Sequence, residues 1–355
     1  MLVQAKVTGV SHIQISKLFN CRCRYGVFFA GRPRKSRNME TEVNYSACGL
    51  RKESILSPAD NLKISILICQ PHGKPEAVVQ IVHGMCEHKE RYIPFMEFLA
   101  ANGFACIIHD HRGYGESVKS SEDLGYFYDG GYLALTEDIH EVTKVAKTEF
   151  PGLPVILFGH SMGSMAVRSY AKRHDNEICG LVVCGCPSRN GGVAFAKLLA
   201  KAYTLVAGRR HRPKLIQELA FGAFNRGFKG EESAHAWVCS DPEIVRDYDA
   251  DPLCNFQFTN DGFINLFSLM QDAYRTKDWK PANPSMPVLF ISGEEDPCLI
   301  SRKKFLEAVQ AMEVAGYGNV RHILYPGMRH EILNETGKEQ VWNDVLEFLQ
   351  TSSRL

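Results

Sequence analysis

The stretch "PVILFGHSMGSMAV", residues 154–167, places Ser161 between two glycines at the end of an apolar run. Residues 155–158 predict a buried strand, and the residues after Gly163 repeat apolar side chains at helical spacing. Ser161 therefore falls on the turn between a strand and a helix. Glycines around such a turn relieve crowding at a strained backbone and let the serine hydroxyl act as a nucleophile. A glycine-rich turn with a capping serine is the alternative interpretation.

The chain around this turn is long enough for one large α/β domain with an insertion. Its 355 residues include 41 basic and 40 acidic side chains, and a formal charge of +1 argues against a nucleic-acid partner. No apolar run approaches the roughly 20 residues of a membrane span, and no secretory signal is recognisable. Several of the 12 cysteines lie in apolar strand-like runs, which favours a reduced cytoplasmic protein.

Residues 1–38 differ from the rest because they contain basic residues and no acidic one. One interpretation is a basic targeting arm. The other, which we favour, is an upstream start codon, with Met39 opening the functional chain. We expect this N-terminal extension to be dispensable for fold and activity.

Beyond Met39, apolar runs alternate with helical periods in the manner of a mostly parallel sheet with helices on both faces. The strand candidates are residues 62–70, 77–83, 104–110, 155–158, 179–185, 287–293 and 321–327. Between residues 188 and 275 the alternation stops, and Phe-rich helical sequence appears. We expect an α/β core of residues 39–187 and 276–355, with residues 188–275 inserted as a helical cap.

A serine at such a turn needs a histidine to take its proton and an acid to orient that histidine. Both are expected after later strands, in the order serine, acid, histidine. Asp296 follows "PVLFISG", and His330 follows "RHILYPG". Glu294 and Glu295 are rival acids, but Asp296 lies furthest beyond its strand. The sequence therefore predicts Ser161, Asp296 and His330 as a catalytic triad.

Attack on a carbonyl creates an oxyanion that needs two backbone N–H donors. Met162, directly after the nucleophile, supplies one of them. The second is expected from Met85, in the stretch "VHGMCEH" that follows an early strand.

Histidines near the same strand ends raise a metallohydrolase as an alternative. His109 and His111 lie two residues apart, but no further ligands accompany them at a known metal spacing. We therefore predict no metal and no cofactor, and we expect both histidines to be hydrogen-bonded loop residues.

Five motifs carry a family resemblance: "HGMCEHKERY", "HDHRGYGES", "FPGLPVILFGHSMG", "SGEEDPC" and "YPGMRHEI". Together they resemble the monoacylglycerol lipase and lysophospholipase branch of the α/β-hydrolase fold, which is grouped with serine aminopeptidase-like hydrolases. The resemblance covers most of residues 43–350. It implies the same triad, an oxyanion hole from Met85 and Met162, and a position for Glu87 and His88 near the leaving group, where they are candidates to bind substrate.

Two positions depart from the family pattern, because Cys86 and Ser164 stand where glycine is usual. Neither departure removes a catalytic group. Cys86 adds a side chain close to the oxyanion loop. With Cys298, two residues after Asp296, it is a candidate for sensitivity to thiol reagents.

The resemblance implies a serine hydrolase that cleaves esters of the monoacylglycerol or lysophospholipid type through an acyl-enzyme. A lipid ester is favoured because aromatic residues in the cap can wall an acyl channel. These are Phe195, Phe221, Phe224, Phe228, Phe256, Phe258, Phe263 and Phe267. A serine aminopeptidase-like enzyme, a short-chain esterase and a non-catalytic binding protein stay open as alternatives. A peptidase would need a carboxylate for the substrate's amino terminus, for which Glu87, Glu294 and Glu295 are available.

Residues 194–215 suggest how a lipid substrate is reached. An apolar helix with Lys197 and Lys201 is followed by the basic run "RRHRPK". Such a segment can lie on an anionic membrane, which would make the protein peripheral on membranes. The alternative is an ordinary amphipathic cap helix with a solvated basic loop.

Overall fold

The computed structural model describes residues 48–354, and the predictions for residues 1–38 lie outside them. The described chain forms a sheet in the order β1-β2-β4-β3-β5-β6-β7-β8. Its strands are β1 (Gly49–Leu56), β2 (Lys63–Gln70), β3 (Ala77–Val82), β4 (Phe104–His109), β5 (Val155–His160), β6 (Gly180–Cys184), β7 (Val288–Gly293) and β8 (Val320–Tyr325). Strands β3 to β8 run parallel, whereas β2 is antiparallel to both β1 and β4.

Helices cover both faces of this sheet. They are α1 (Ile93–Ala101), α2 (Gly131–Glu149), α3 (Met162–His174), α4 (Val193–Ala207), α5 (Lys214–Phe221), α6 (Pro242–Ala250), α7 (Asn260–Ala273), α8 (Arg302–Ala315) and α9 (Lys338–Ser352). Alternate strand residues point to opposite layers, so that Val78 packs in the layer of α2 and α3 while Val79 packs in that of α1 and α9. Strands buried on both faces explain the continuous apolar runs in the sequence.

The expected α/β-hydrolase fold is confirmed. All seven strand candidates form strands, but the sequence analysis missed β1. This strand lies at the edge of the sheet, and its burial alternates weakly around the exposed charged residues Arg51 and Lys52. An edge strand with one solvated face carries little of the apolar signal that identified the others.

Four helices, α4 to α7, lie between β6 and β7, in the interval expected to form the cap. The last of them is fastened to α3. The Asp272 carboxylate of α7 accepts a hydrogen bond from the Ser169 hydroxyl at 2.6 Å and lies 2.8 Å from the Arg173 guanidinium. The helical end of the interval thus packs on the core layer, and the boundaries 188–275 stay a prediction.

The cysteines do not all follow the expectation of a reduced protein. Cys48 and Cys69 form a disulfide that joins the start of β1 to the end of β2. The sequence analysis did not identify this pair because the two residues become neighbours only through the pairing of β1 with β2. The other cysteines of residues 48–354 are free.

No helix in the described part of the chain combines the length and the apolar character needed to cross a bilayer.

Candidate active site

Ser161 occupies a strained turn between β5 and α3. Its backbone has φ 53° and ψ −118°, in the region that side chains other than glycine rarely adopt. A Cβ at Gly163 would lie 2.1 Å from the carbonyl oxygen of Val82, and one at Gly159 would lie 2.5 Å from the carbonyl oxygen of Gly163. Glycine is therefore required at position 163 for the turn to pack against the end of β3, and at position 159 for the turn to close on itself.

Three buried side chains from separate loops form one hydrogen-bonded chain. The Ser161 Oγ lies 2.8 Å from Nε2 of His330, and Nδ1 of His330 lies 2.8 Å from Oδ2 of Asp296. Since a carboxylate can only accept, Nδ1 carries the proton and Nε2 is free to accept from the serine hydroxyl. The structure thus brings the three expected residues together in the geometry that activates a nucleophile.

Asp296, rather than a neighbouring glutamate, is the acid that reaches His330. Burial acts to raise the pKa of Asp296, but His330, the Cys298 N–H at 2.8 Å and the Ser292 hydroxyl at 3.2 Å together hold that pKa below its usual value. The carboxylate therefore stays ionised beside His330. Glu294 and Glu295 are exposed on the same loop.

The two expected oxyanion donors belong to the two segments that meet at Ser161, the start of α3 and the loop after β3. Met162 is the first residue of α3, and Met85 follows Gly84 on the loop after β3. That loop passes directly against the nucleophile, because a Cβ at Gly84 would lie 2.8 Å from Cβ of Ser161. Within residues 48–354 neither the Met85 nor the Met162 N–H donates to a protein acceptor. Their role as an oxyanion hole stays a prediction.

The Glu87 carboxylate binds the backbone of this loop and three neighbouring side chains. Its Oε1 accepts hydrogen bonds from the Gly84 N–H, from Nδ1 of His160 at 3.0 Å and from the Tyr92 hydroxyl at 3.1 Å. Its Oε2 lies 3.3 Å from the Arg91 guanidinium. All of these partners are protein groups, so a role for Glu87 in binding substrate stays a prediction.

His160, the residue before the nucleophile, links Glu87 to the loop of His330. Its Nε2 lies 3.3 Å from the backbone carbonyl of His330, and its Nδ1 faces the Glu87 carboxylate. Both partners can only accept, so both ring nitrogens carry protons and His160 is an imidazolium. Burial lowers the pKa of His160, but the hydrogen bond and charge of Glu87 outweigh it and raise that pKa overall. Sequence reasoning missed this residue because the elbow motif places no demand on its identity.

His88 is engaged in the same way. Its Nδ1 lies 2.8 Å from Glu90 and its Nε2 lies 2.9 Å from Asp251, which follows α6. These contacts tie the loop after β3 to the inserted segment. A substrate-binding role for His88 stays a prediction.

The histidines at the ends of β3 and β4 form a buried cluster. The backbone N–H of His111 donates to Nε2 of His83, and the two residues are joined again through Nε2 of His111, as expected for a hydrogen-bonded loop. For His109 that expectation is wrong, because both of its ring nitrogens are buried and neither has a hydrogen-bond partner among residues 48–354. His109 is the last residue of β4, a strand buried on both faces, and burial lowers the pKa of His109 to about 3.

Three groups of described side chains bring metal-ligating atoms within 4.8 Å of one another. They are His88, Asp251 and Cys254; Glu137, His140 and His174; and Asp296, Cys298 and His330. In each group a histidine nitrogen is already hydrogen-bonded to the carboxylate. The rings of His140 and His174 also stack at 3.9 Å with planes 19° apart, so one ion cannot lie in both ring planes. The expected absence of a metal stays a prediction.

The two cysteines named as candidates for thiol reagents are shielded. Cys86 and Cys298 are both buried, and burial raises the pKa of each thiol. The Cys86 Sγ donates to the backbone carbonyl of Phe256 at 3.1 Å. Since the thiolate is the reactive form, both cysteines are poorly suited to react in the folded protein.

An aromatic wall adjoins the nucleophile on the side of α7. The Tyr114 hydroxyl donates to Sδ of Met162 at 3.2 Å, and the Tyr114 ring lies 5.6 Å from Phe256 and 5.8 Å from Phe258. Of the expected channel residues, three are fully or nearly buried in the core layer: Phe258, Phe263 and Phe267. Phe195 by contrast is 67 % exposed on α4.

The chain is similar to known hydrolases in sequence and in structure. Residues 73–337 match the family model described as "Serine aminopeptidase, S33". A monoacylglycerol lipase of Mycolicibacterium smegmatis is 27 % identical over 304 residues, which span 84 % of this chain and 97 % of that protein.

Solved structures show the same architecture. A carboxyl esterase from Bacillus coagulans, in complex with glycerol, superposes with a TM-score of 0.78 at 27 % identity over 85 % of this chain and 98 % of its own. Monoglyceride lipase from Saccharomyces cerevisiae gives a TM-score of 0.67 at 18 % identity, covering 89 % of this chain and all of its own, and shows the fold alone. The match of the family model over most of the chain, on a sheet of this topology, shows that this chain belongs to the serine aminopeptidase S33 family of α/β-hydrolases.

Proposed function

We propose that this serine ester hydrolase cleaves monoacylglycerol-type lipid esters through an acyl-enzyme on Ser161. The observation that carries the proposal is the 2.8 Å contact between the Ser161 Oγ and Nε2 of His330. His330 takes the serine proton as the hydroxyl attacks the ester carbonyl, and then gives it to the departing alcohol. Asp296 holds the ring in the required tautomer. A water molecule then attacks the acyl-enzyme, with His330 again taking a proton and passing it on to the Ser161 oxygen, and the fatty acid is released.

The oxyanion of each tetrahedral intermediate is assigned to the backbone N–H groups of Met85 and Met162. Met162 directly follows Ser161, Met85 follows Gly84, which packs against Ser161, and neither N–H has a protein acceptor within residues 48–354. Donors held in place before the reaction stabilise charge that develops only in the transition state. Glu87 supports this arrangement because it binds the Gly84 N–H, directly before Met85.

An apolar acyl group is favoured by the surroundings of the nucleophile. Tyr114, Phe256 and Phe258 form an aromatic wall against Met162 and the loop of Cys86. The relatives named above include a monoacylglycerol lipase and a glycerol complex of a carboxyl esterase. An amide substrate with a free amino terminus is less well served, since Glu87 is engaged by protein groups and Glu294 and Glu295 are exposed.

The chemistry is tested with an activity-based probe and a substrate panel. A fluorophosphonate should label the wild-type protein at Ser161 and leave Ser161→Ala unlabelled, because the reagent requires an activated hydroxyl. Monoacylglycerols of increasing chain length should be cleaved faster than acetyl esters and aminoacyl amides. Absence of both label and ester turnover would favour a non-catalytic binding protein, and efficient removal of N-terminal residues from peptides would favour a peptidase.

We also propose that the insertion binds the surface of the membrane that contains the lipid substrate. Helices α4 and α5 expose large apolar side chains, including Leu205 and Val206 at 89 % and 90 % exposure and Leu219 at 59 %. Apolar surface of this kind on an amphipathic helix can insert at the boundary between lipid headgroups and acyl chains.

The basic run after α4 contributes less to this contact than its charge suggests. Arg209 bonds Asp261, Arg210 pairs with Asp123, and the Arg212 guanidinium donates to the Leu124 carbonyl at 2.9 Å. Arg210 and Arg212 thus fasten the insertion to the core, and Arg209 holds two parts of the insertion together. We therefore expect binding to zwitterionic vesicles that survives high salt and is reduced by Leu205→Glu with Val206→Glu, measured by co-sedimentation. Binding that needs anionic lipid and disappears with salt would contradict this apolar mode.

A further inference from the structure

A segment of the insertion lies along the loop that carries His330. We call residues 231–240 the strap and residues 328–335 the histidine loop. The Arg329 guanidinium of the histidine loop donates to the backbone carbonyls of Ala236 at 2.6 Å and Cys239 at 3.1 Å. The two segments are thus joined through backbone groups.

Charged side chains strengthen this junction. Arg329 also makes a two-point contact with the Glu231 carboxylate, at 2.9 and 2.5 Å. The Glu335 carboxylate accepts from the Ser240 N–H at 2.9 Å and from the Arg329 N–H at 2.8 Å. Planar two-point contacts of this kind fix orientation as well as distance. The strap is therefore held in a defined position over the histidine loop.

These contacts hold Trp237 of the strap beside His330 of the triad. Its ring centroid lies 5.1 Å from that of His330, with the planes tilted by 45°. On its other side, the ring of Phe224 packs edge-on at 5.0 Å. Trp237 is only partly buried, so part of its side chain stays accessible.

The direction of proton transfer shows which part of the substrate lies beside this indole. Nε2 of His330 gives its proton to the oxygen of the departing alcohol, so the alcohol part of the ester must lie beside the His330 ring during acylation. The acyl group, in contrast, stays on Ser161. We propose that Trp237 selects the alcohol part of the ester, as a rigid wall that admits a group the size of glycerol and opposes bulkier headgroups.

This inference rests on the proposed function and makes it narrower. A monoacylglycerol should be preferred over a lysophospholipid that carries the same acyl chain. Trp237 should affect the acylation step alone, because the alcohol has already left when water attacks the acyl-enzyme. A residue that only positioned His330 would affect both steps, since His330 transfers a proton in each.

The test compares Trp237→Ala and Trp237→Phe with the wild-type protein on esters that share one medium-chain acyl group. The alcohols are methanol, glycerol and glycerophosphocholine. For Trp237→Ala we expect kcat/KM for the glycerophosphocholine ester, relative to the glycerol ester, to rise by about 10-fold or more, within the range that side-chain-sized changes in apolar pockets produce. Trp237→Phe should keep the wild-type ratio, and the acyl-chain profile measured on glycerol esters should change in neither variant.

Burst kinetics with p-nitrophenyl esters separate the two steps. Trp237→Ala should alter the acylation rate and leave deacylation unchanged. An unchanged alcohol ratio, or an equal loss in both steps, would overturn the inference. If the wild-type protein cleaves aryl and alkyl esters but no monoacylglycerol, the proposed substrate is wrong, and the ratio of the glycerophosphocholine ester to the methyl ester then tests Trp237.

The strap is tested through its exposed charge. Glu231→Gln weakens the contact with Arg329 and should shift the alcohol ratio in the same direction as Trp237→Ala, by a smaller factor. Glu232→Gln is the matched control, since the neighbouring Glu232 is also exposed and makes no ion pair within the described residues. Identical behaviour of the two variants would show that the ion pair does not hold Trp237 in place.

Discussion

The Glu87 carboxylate and the His160 imidazole lie 3.0 Å apart in the interior, directly behind the loop of His330. This ion pair connects the loop after β3, which carries Met85, to the turn that carries Ser161. A charged pair that bridges two loops of one site stabilises their relative position, and removal of one partner leaves the other charge buried.

Neutralising Glu87 should destabilise the fold in a manner that depends on pH. The pKa of Glu87 is lowered in the folded state, so its stabilising effect is present above about pH 4.5 and is lost as the pH falls through the folded value. The pKa of His160 is raised, so its effect is complete below pH 6.5 and is lost as the pH rises through the folded value.

The ion pair of Glu87 and His160 thus stabilises the fold fully between about pH 4.5 and pH 6.5. There, Glu87→Gln should reduce the free energy of unfolding by about 3–5 kcal/mol, as expected when a buried charge loses its partner. The difference from wild type should narrow at alkaline pH, as His160 loses its proton. Urea unfolding at pH 5.5 and pH 9 measures the loss and its pH dependence, with Glu313→Gln as a control at an exposed position. A difference that is constant across this range would contradict the ion pair.

Neutralising the acid of the triad should abolish most of the turnover. Asp296→Asn removes the acceptor that fixes the His330 tautomer while keeping the shape of the side chain. We expect kcat to fall by up to about 10⁴-fold with the fold intact, as in other triads. Steady-state kinetics and circular dichroism check the two parts. Glu294→Gln and Glu295→Gln are the controls, and a comparable loss in Glu295→Gln alone would show that the wrong acid has been identified.

Two fully buried arginines should respond in opposite ways to neutralisation. Arg112 contacts the carboxylates of Asp138 at 2.8 Å and Asp60 at 3.2 Å. Arg168 donates from Nε to the Ser164 carbonyl and lies over the ring of Tyr274 at 4.6 Å, but its two terminal nitrogens have no partner within residues 48–354.

Arg112→Met should therefore lower the free energy of unfolding by about 3–5 kcal/mol, because it leaves two acids without their partner. Arg168→Met should be neutral or raise that free energy by about 1–4 kcal/mol, since an apolar side chain suits its surroundings better than an unpaired charge. Chemical denaturation of the two variants decides the matter. A large loss of stability in Arg168→Met would reveal an anionic partner for this arginine.

The buried histidine cluster should make the fold sensitive to acid. Burial lowers the pKa of His109 to about 3 and also lowers that of His83. The unfolded chain binds protons at these positions below about pH 6.5 while the folded chain does not, so their contribution to stability falls as the pH drops from 6.5. His109→Leu should reduce this slope, because it removes one of the titrating groups. The ring of His109 makes no hydrogen bond to residues 48–354 that the substitution would break. Unfolding midpoints at pH 5 and pH 7.5 test it, and an unchanged slope would count against the cluster as its cause.

The free thiols near the site should resist modification in the native state. Because burial raises the pKa of Cys86 and Cys298, Ellman's reagent should react with them no faster than the protein unfolds, and activity should survive the incubation. Reaction rates with and without urea give the comparison. Rapid inactivation that is absent in Cys298→Ala would instead show that this thiol is open to solvent.

The elements that the sequence alone determined are those with local causes. The turn at Ser161 requires glycine at position 159, which the Gly163 carbonyl and the Val167 side chain crowd, and at position 163, which the end of β3 crowds. The apolar run before the turn forms a strand buried on both faces. The order of serine, acid and histidine, each after a parallel strand, follows from the same local pattern. The edge strand β1 escaped this reasoning because its solvated face carries charge rather than an apolar period.

The relations that only the tertiary structure decided join segments far apart in the chain. Asp296 is distinguished from Glu294 and Glu295 by direction, since it alone of the three points inward to His330. The pairing of Glu87 with His160, the disulfide of Cys48 and Cys69, and the position of Trp237 over His330 likewise have no local signal. Each depends on how the connections between strands bring distant residues together, and the energy of a buried charge or an aromatic contact is set by those neighbours rather than by the residue itself.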